Sequence, residues 1–365
     1  MFKKIDKVFL WLFVVVLIMG IIIFVSASLG VLVKNPSKFY SILISQLVLG
    51  LGMGTLAFFL ALKIPYKFWQ KYALLIFLIT LILAALVFVP GLGFRHSDAL
   101  RWVSLGPISF QPVEFLKFGF IIYFATWMAW AKEKAKDFKF GLLPLICFFI
   151  LIGFILINEP DIKSFILIII SGFGIYCMSG ASWKKIITLG LMSIIALGSI
   201  VFFKPYLMDR IETYFEPGRD PRGASYQLEQ SLIAFGSGGI FGRGLGQSIQ
   251  KFNYLPEPQG DSVFAVLGEE LGFVGCLVFL MLYLALCLRG LKIGNSAPDM
   301  FSRLLVVGIV ILITAQGFLN IASVTGVFPL TGVPLPFVSH GGTALMVDLF
   351  AMGIVLNVSR QRKII

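Results

Sequence analysis

The chain has 365 residues, of which 58% are hydrophobic and 13% charged, and its mean hydropathy is +0.96. A soluble domain cannot keep that much apolar surface out of water, so the composition excludes one and points to a polytopic membrane protein. The net charge of +12 would suggest nucleic acid as partner in a soluble chain. Here the excess lies in the loops between apolar runs, so membrane lipids and no nucleic acid are expected.

The first apolar run follows MFKKIDK. It resembles a signal peptide, with small residues Ser26, Ala27 and Ser28 beyond it, but its length predicts a retained span. Further runs of near-spanning length follow in order, giving predicted helices at 8–28, 41–62, 72–90, 115–130, 140–157, 162–178, 186–203, 263–288, 304–324 and 344–358. The predicted fold is therefore an all-α polytopic membrane protein with about ten transmembrane helices. It forms one membrane domain over residues 1–365, with a long loop of about 204–262 between spans seven and eight. No repeat of 20–50 residues is visible, which disfavours a transporter built from duplicated halves. Cys147, Cys177, Cys276 and Cys287 lie inside apolar runs and read as buried small hydrophobes rather than disulfides or metal ligands. The two histidines are too far apart in sequence for a His-based metal cage.

The loops alternate in charge. One set carries Lys3, Lys4 and Lys7, then Lys63, Lys67 and Lys71, then Lys132, Lys134, Lys136 and Lys139. Lys184, Lys185, Arg289, Lys292, Arg303, Arg360, Arg362 and Lys363 complete it, making 18 of the 30 basic residues. The positive-inside rule then places both termini in the cytoplasm. Of the 18 acids, only Asp6, Glu133, Asp137 and Asp299 fall on that side. Function is thus expected on, or just inside, the extracytoplasmic face.

Several constellations on that face carry chemistry. Glu114 and Lys117 sit three residues apart at the mouth of the fourth span, after Gln111-Pro112, and share one helix face. Ionisable residues inside a span are costly and are functional candidates, although a plain helix-entry pair has the same spacing. Glu159 and Asp161 flank Pro160 in a short hairpin, where a tight turn accounts for them equally well. The long loop holds Arg210, Glu212, Glu216, Arg219, Asp220 and Arg222. An amphipathic segment at Tyr226–Phe235 follows, and then the glycines 236, 238, 239, 242, 244 and 246 around Arg243. Such a loop can cradle phosphate through backbone amides, or be a flexible interfacial segment. The uncharged loop 325–343 is rich in Pro and Gly and is expected to be re-entrant or to pack over a cavity, because irregular backbone is not tolerated against lipid. Asp261 precedes an apolar run and could cap that helix or act as a general base at the water–membrane boundary. Glu269 and Glu270 lie about two turns deeper and read as structural or cavity-lining acids that need partners.

Five ordered stretches, ALRWVSLGPISFQPVEFLKF (99–118), NEPD (158–161), YQLEQSLIAFGSGGIFGRGLGQS (226–248), LPEPQGDSVFAVLGEELGFVG (255–275) and TGVPLPFVSHGGTAL (331–345), carry a resemblance over nearly the whole chain. It resembles the SEDS (shape, elongation, division and sporulation) membrane proteins, peptidoglycan polymerases of the RodA/FtsW type. FVPGLG and PLPFVSHGG look more like the division-type FtsW. The resemblance implies polymerisation of lipid II into glycan strands with release of undecaprenyl diphosphate, in cell division or elongation, at the bacterial cytoplasmic membrane. The family's conserved aspartate falls on Asp261, the implied general base, and its Glu and Lys fall on Glu114 and Lys117. On the matched motifs Gln111, Ser339 and His340 join the substrate-binding candidates. Lys117, Arg101, Arg210 and Arg243 are the candidates for the diphosphate, with Mg²⁺ or Mn²⁺ as a cation that could share the load and no organic cofactor. The implied partner is a class B penicillin-binding protein, a transpeptidase. This chain departs from the family's pattern at Val113, where Ser is common, at Gln259-Gly260-Asp261-Ser262, where His-Thr-Asp-Phe is common, and at His340 and Ala344 in SHGGTA. A lipid II flippase and a non-catalytic division scaffold remain alternatives on sequence alone.

Overall fold

The computed structural model describes residues 5–96, 99–105, 108–216 and 223–361. Arg219, Asp220 and Arg222 of the long loop, and Lys3, Lys4, Arg362 and Lys363 of the charge pattern, lie outside the described residues. The elements run α1 Lys7–Lys34, α2 Pro36–Ile44, a π-helical stretch Ser45–Met53, α3 Gly54–Lys63, α4 Tyr66–Lys71 and α5 Ala73–Ala85. Strands β1 Gly93–His96, β2 Ala99–Leu105 and β3 Ile108–Phe110 come next. The remaining helices are α6 Pro112–Ala131, α7 Leu143–Asn158, α8 Ile162–Met178, α9 Trp183–Phe203 and α10 Pro205–Phe215, then α11 Ala224–Gly238, α12 Gln250–Asn253, α13 Val263–Asn295, α14 Met300–Val324 and α15 Gly342–Ser359.

All ten predicted runs become helices. Among the described residues eight are long and apolar enough to cross a membrane, and Ala73–Phe88 and Ile162–Met178 are shorter apolar helices on the other two runs. The chain is a largely helical polytopic membrane protein. Two loops differ from expectation. Residues 93–110 form an antiparallel sheet in the order β1-β2-β3, with Phe94 opposite Trp102 and Val103 opposite Phe110. The alternation in ALRWVSL explains it: a period of two buries Val103 fully and suits a strand better than a coil. The long loop 204–262 is built mostly from α10, α11 and α12. The cysteines differ in part: all four are free thiols, with Cys147 exposed and the other three half-buried against the core.

Local chemistry sets the helix ends. Asn35 ends α1 and starts α2, its side chain accepting from the Lys38 amide at 3.0 Å, with Pro36 in the first turn. Asp299 and Ser302 form a capping box on α14. At the end away from the 255–262 loop, Asp6 caps α1 through the Phe9 amide at 2.9 Å and pairs with Arg289 on α13 at 2.9 Å. Its own amide donates to Ser359 on α15, so three helices are pinned together there.

The apolar run after Asp261 is not one continuous helix. Gly272 has φ 67° and ψ −168°, and the chain breaks there. Broken backbone inside an apolar layer must find new partners, and the glycine-rich loop supplies them. The amides of Arg243 and Gly244 donate to the carbonyls of Glu269 and Glu270 at 3.0 and 2.9 Å. The amides of Phe273 and Val274 donate to Gly239 and Ile240 at 2.9 and 3.1 Å. Two amides of the glycine-rich loop, those of Arg243 and Gly244, are thus taken up by this break. Contact is so tight that a Cβ on Gly272 would lie 2.3 Å from the Gly242 nitrogen, and one on Gly242 would lie 2.2 Å from the Glu270 oxygen. Both glycines also have positive φ, which penalises any side chain. Gly272→Ala and Gly242→Ala should each destabilise the protein by about 1–3 kcal/mol, read as a fall in Tm in detergent, whereas Gly236→Ala, in α11 and facing open space, should hold Tm or raise it.

Candidate functional site

A cavity of about 400 Å³ lies where the starts of α2, α6, α8, α13 and α15 converge under the small sheet. Asp261, Glu114, Lys117, Gln111 and His340 all line it, as do Lys38, Lys163, Glu257, Gln259, Gln316 and Trp102. Segments far apart in sequence thus deliver the central predicted residues to one chamber. The 325–343 loop forms part of its wall through Gly332, Val333 and Pro334, as its composition suggested.

Asp261 is not the cap of α13. Ser262 occupies that position and makes no side-chain cap bond; its hydroxyl accepts from Gln227 on α11 at 2.9 Å. The Asp261 backbone is held firmly instead. Asn320 of α14 donates to the carbonyls of Asp261 and Val333 at 2.8 and 2.7 Å. Ser339 donates to the Gly260 carbonyl at 2.7 Å, and the His340 amide donates to Gln259 at 2.7 Å. Gln46 in the π-helical stretch bridges the Ser339 carbonyl and the Gly341 amide at 3.1 and 2.9 Å. Ser339 thus acts as a buried brace between the two loops, and the Asp261 carboxylate stays available to the cavity.

Lys163 is the cation beside it. Its ammonium donates to the Gly332 carbonyl, and Gly332 lies between the two groups: a Cβ there would stand 3.1 Å from Asp261 Oδ2 and 3.9 Å from Lys163 Nζ. Sequence reasoning passed over Lys163. The available signal was a lysine in the first turn of an apolar helix, a place where the helix dipole disfavours a cation.

Glu114 and Lys117 form the predicted pair at 2.8 Å, both almost fully buried. Lys117 also donates to Gln316 at 3.0 Å, and Gln316 in turn donates to the Pro334 carbonyl. Asp348, a buried acid on α15 absent from the sequence-level candidates, interacts electrostatically with both members of the pair.

The three arginine candidates are placed elsewhere. Arg101 on β2 donates to the carbonyls of Glu159 and Pro160 and fastens the sheet to the α7–α8 hairpin. Arg210 donates to the carbonyls of Leu330 and Thr331 at 3.1 and 3.2 Å, outside the cavity lining. Arg243 lies 3.6 Å from Glu269 and braces the helix break. Glu269 itself accepts from the Ser248 hydroxyl and from the amides of Ile249 and Gln250 at 3.0 and 3.1 Å. Glu270 pairs with Lys251 at 2.6 Å and accepts from Ser26 at 2.7 Å, all buried. Both acids hold the long loop to α13 and α1, and neither lines the cavity.

Asp161 caps α8 and accepts from Ser164 at 2.9 Å and from Gln111 at 3.3 Å. Glu159, next to it in the hairpin, is buried, and burial pushes its carboxyl up to about 9, helped by Asp161 and opposed by Arg101. Among the described residues no group of three or more His, Cys, Asp or Glu is placed to hold a metal ion.

Two outcomes follow from these charges. Lys117→Met leaves the buried Glu114 carboxylate without its cation and should cost roughly 3–5 kcal/mol; adding Glu114→Gln should restore part of the lost Tm. Glu159 binds more protons folded than unfolded between its ordinary value of 4.5 and about 9, so its contribution to stability is present below that window and declines as pH rises through it. Glu159→Gln should flatten that decline in a pH series of Tm measurements.

A family model described as a cell cycle protein, of the FtsW/RodA/SpoVE type, matches residues 6–364. Stage V sporulation protein E of Bacillus subtilis is 37% identical over 312 residues, 86% of this chain and 85% of the relative. A probable peptidoglycan glycosyltransferase FtsW of Geobacter sulfurreducens is 36% identical over 362 residues, 99% of this chain and 96% of its own. Among solved structures, a chain of a peptidoglycan synthase complex that coordinates polymerization and crosslinking superposes with a TM-score of 0.80 at 26% identity, covering 99% of both chains. The rod shape determining protein RodA of Thermus thermophilus superposes with a TM-score of 0.72 at 25% identity over 98% of both. With its length matched from end to end and its buried Glu114–Lys117 pair and Asp261 gathered in one cavity, the chain belongs to the FtsW/RodA/SpoVE family.

Proposed function

We propose that this chain is a peptidoglycan glycosyltransferase that polymerises lipid II into glycan strands and releases undecaprenyl diphosphate. The observation that carries the reading is Asp261, a carboxylate on a braced backbone at the wall of a cavity that also holds Lys163, Lys38 and the Glu114–Lys117 pair. Asp261 accepts the proton of the acceptor sugar's 4-hydroxyl as that oxygen attacks the donor's anomeric carbon. The new glycosidic bond forms as the bond to the diphosphate breaks, and the leaving group departs with the electron pair. Its growing charge is met by cations, for which Lys163 and Lys38 are better placed than the three arginines, since they line the same chamber. A divalent cation such as Mg²⁺ or Mn²⁺ would be held mainly by the diphosphate oxygens with a single cavity carboxylate, in keeping with the small donor set a phosphate-bound Mg²⁺ takes from protein.

The two shorter apolar helices complete a ten-span arrangement, and the basic loops put both termini in the cytoplasm and the cavity on the extracytoplasmic side of a bacterial inner membrane. That boundary suits a substrate with a water-soluble sugar and a membrane-soluble tail. The likeness to a synthase complex supports a crosslinking partner of the class B penicillin-binding type. The test is glycan formation from lipid II by purified protein. Asp261→Asn should lower the rate by about 10²-fold or more, and Lys163→Met by about 10²–10³-fold, both without loss of Tm. Wild-type polymerisation by a folded Asp261→Asn variant overturns the general base, while lipid II translocation without polymer favours a flippase.

A further inference from the structure

The small sheet has a face that the mechanism above leaves unused. Phe94 stands directly opposite Trp102, and Ser104 directly opposite Ser109. Opposed residues of antiparallel strands share a face, as do residues two apart on one strand. The register therefore puts Phe94, Trp102, Ser104 and Ser109 on one side of the sheet, and the fully buried Val103 on the other. Phe94, Trp102 and Ser109 all line the cavity that holds Asp261, so the side away from Val103 is the one turned to it. Phe94 is 52% exposed and Trp102 half-buried, and among the described residues neither ring stacks on another aromatic side chain. Packing of the sheet does not account for the pair, because Val103 supplies its buried face. Two aromatic side chains held side by side, open to a chamber otherwise rich in charged and polar groups, form a surface for something that enters it.

The parts of lipid II differ in what they offer such a surface. An aromatic ring carries negative charge on its face and repels a diphosphate, which the lysines of the same lining, Lys38 and Lys163, attract. The polyprenyl tail stays in the apolar layer, whereas the strands lie between the end of α5 and the first turn of α6, at the mouth of the chamber. A pyranose ring fits. Its ring C–H bonds make an apolar, slightly positive face that suits the negative face of an aromatic ring. Its hydroxyls stay at the rim, where Ser109 and Gln111 belong to the same lining. We infer that Phe94 and Trp102 form a stacking platform for a sugar ring of the lipid II disaccharide. This assignment rests on the glycosyltransferase reading and divides the chamber: the sheet takes the face of a sugar, and the lysines take the anionic diphosphate.

The experiment measures equilibrium binding to purified full-length protein in detergent, alongside Tm, for Phe94→Ala, Trp102→Ala and Trp102→Phe. Three probes are used: lipid II, the same lipid-linked disaccharide without its stem peptide, and undecaprenyl diphosphate, which has no sugar. Phe94→Ala and Trp102→Ala should each raise the Kd of both sugar-bearing lipids by about three- to tenfold. Their Kd for undecaprenyl diphosphate should stay within about twofold of wild type. Trp102→Phe keeps a ring and should recover most of the loss. The assignment is overturned if both alanine variants bind lipid II like wild type, if undecaprenyl diphosphate is weakened as much as lipid II, or if the loss disappears with the stem peptide. Should Trp102→Ala not fold, Phe94→Ala, whose ring is half exposed, decides the matter. Glycan formation by the wild type is followed separately. A wild type that binds lipid II but forms no glycan sinks the glycosyltransferase reading, whereas an active wild type whose alanine variants keep its Kd sinks this assignment alone.

Discussion

A helix that breaks within an apolar layer must have its backbone amides and carbonyls satisfied by another part of the chain, and that constraint organises this molecule. The break at Gly272 frees the carbonyls of Glu269 and Glu270 and the amides of Phe273 and Val274, and the 239–244 loop takes up all four. Because the loop must lie against the break, the acids beside it are recruited as anchors. Glu269 collects the start of α12, and Glu270 collects Lys251 and Ser26. The long connection between α9 and α13 is thereby fixed to α13 and α1. The segment 255–262, which follows directly, leaves that anchor with its position largely decided.

The cavity inherits its order from this arrangement. The 255–262 and 325–341 segments lack regular secondary structure for most of their length, so their polar backbone must pair with side chains and with each other. Asn320, Ser339 and Gln46, each nearly or fully buried, do that work with amide and hydroxyl groups that carry no charge. The charged groups of the chamber are consequently spared for substrate or for one another. Glu114 and Lys117 neutralise each other at the base, next to Asp348, and Lys163 is held beside Asp261 by a backbone carbonyl rather than by a competing acid.

Much of this was legible in the residues. Apolar periodicity located every helix of the membrane part, because burying or exposing a run of that length to lipid depends on composition alone. Glu114 and Lys117 could be paired from a three-residue spacing on one helix, and Asp161 could be assigned to a turn. Other roles were not legible. The small sheet lies between two predicted helices in a stretch with no predicted element, although ALRWVSL alternates. Arg101, Arg210 and Arg243 share a charge but not a place: Arg101 and Arg210 bond to backbone carbonyls of different segments, and Arg243 pairs with the Glu269 carboxylate. Lys163 and Asp348 were missed, because a side chain's value to a cavity depends on which distant segments meet there.

The sequence by itself determined the membrane class, the order of apolar helices, the separation of the acids from the basic loops and the Glu114–Lys117 pair, all of which rest on composition or on contacts within one helix. Only the tertiary structure decided that the glycine loop patches a broken helix, that Glu269 and Glu270 are anchors, and that Asp261 and Lys163 meet beside Gly332. The physical reason is that hydrogen bonds and ion pairs are local in space. Which donor reaches which acceptor across a hundred or more residues is set by packing, and packing is not written in the spacing of any one segment.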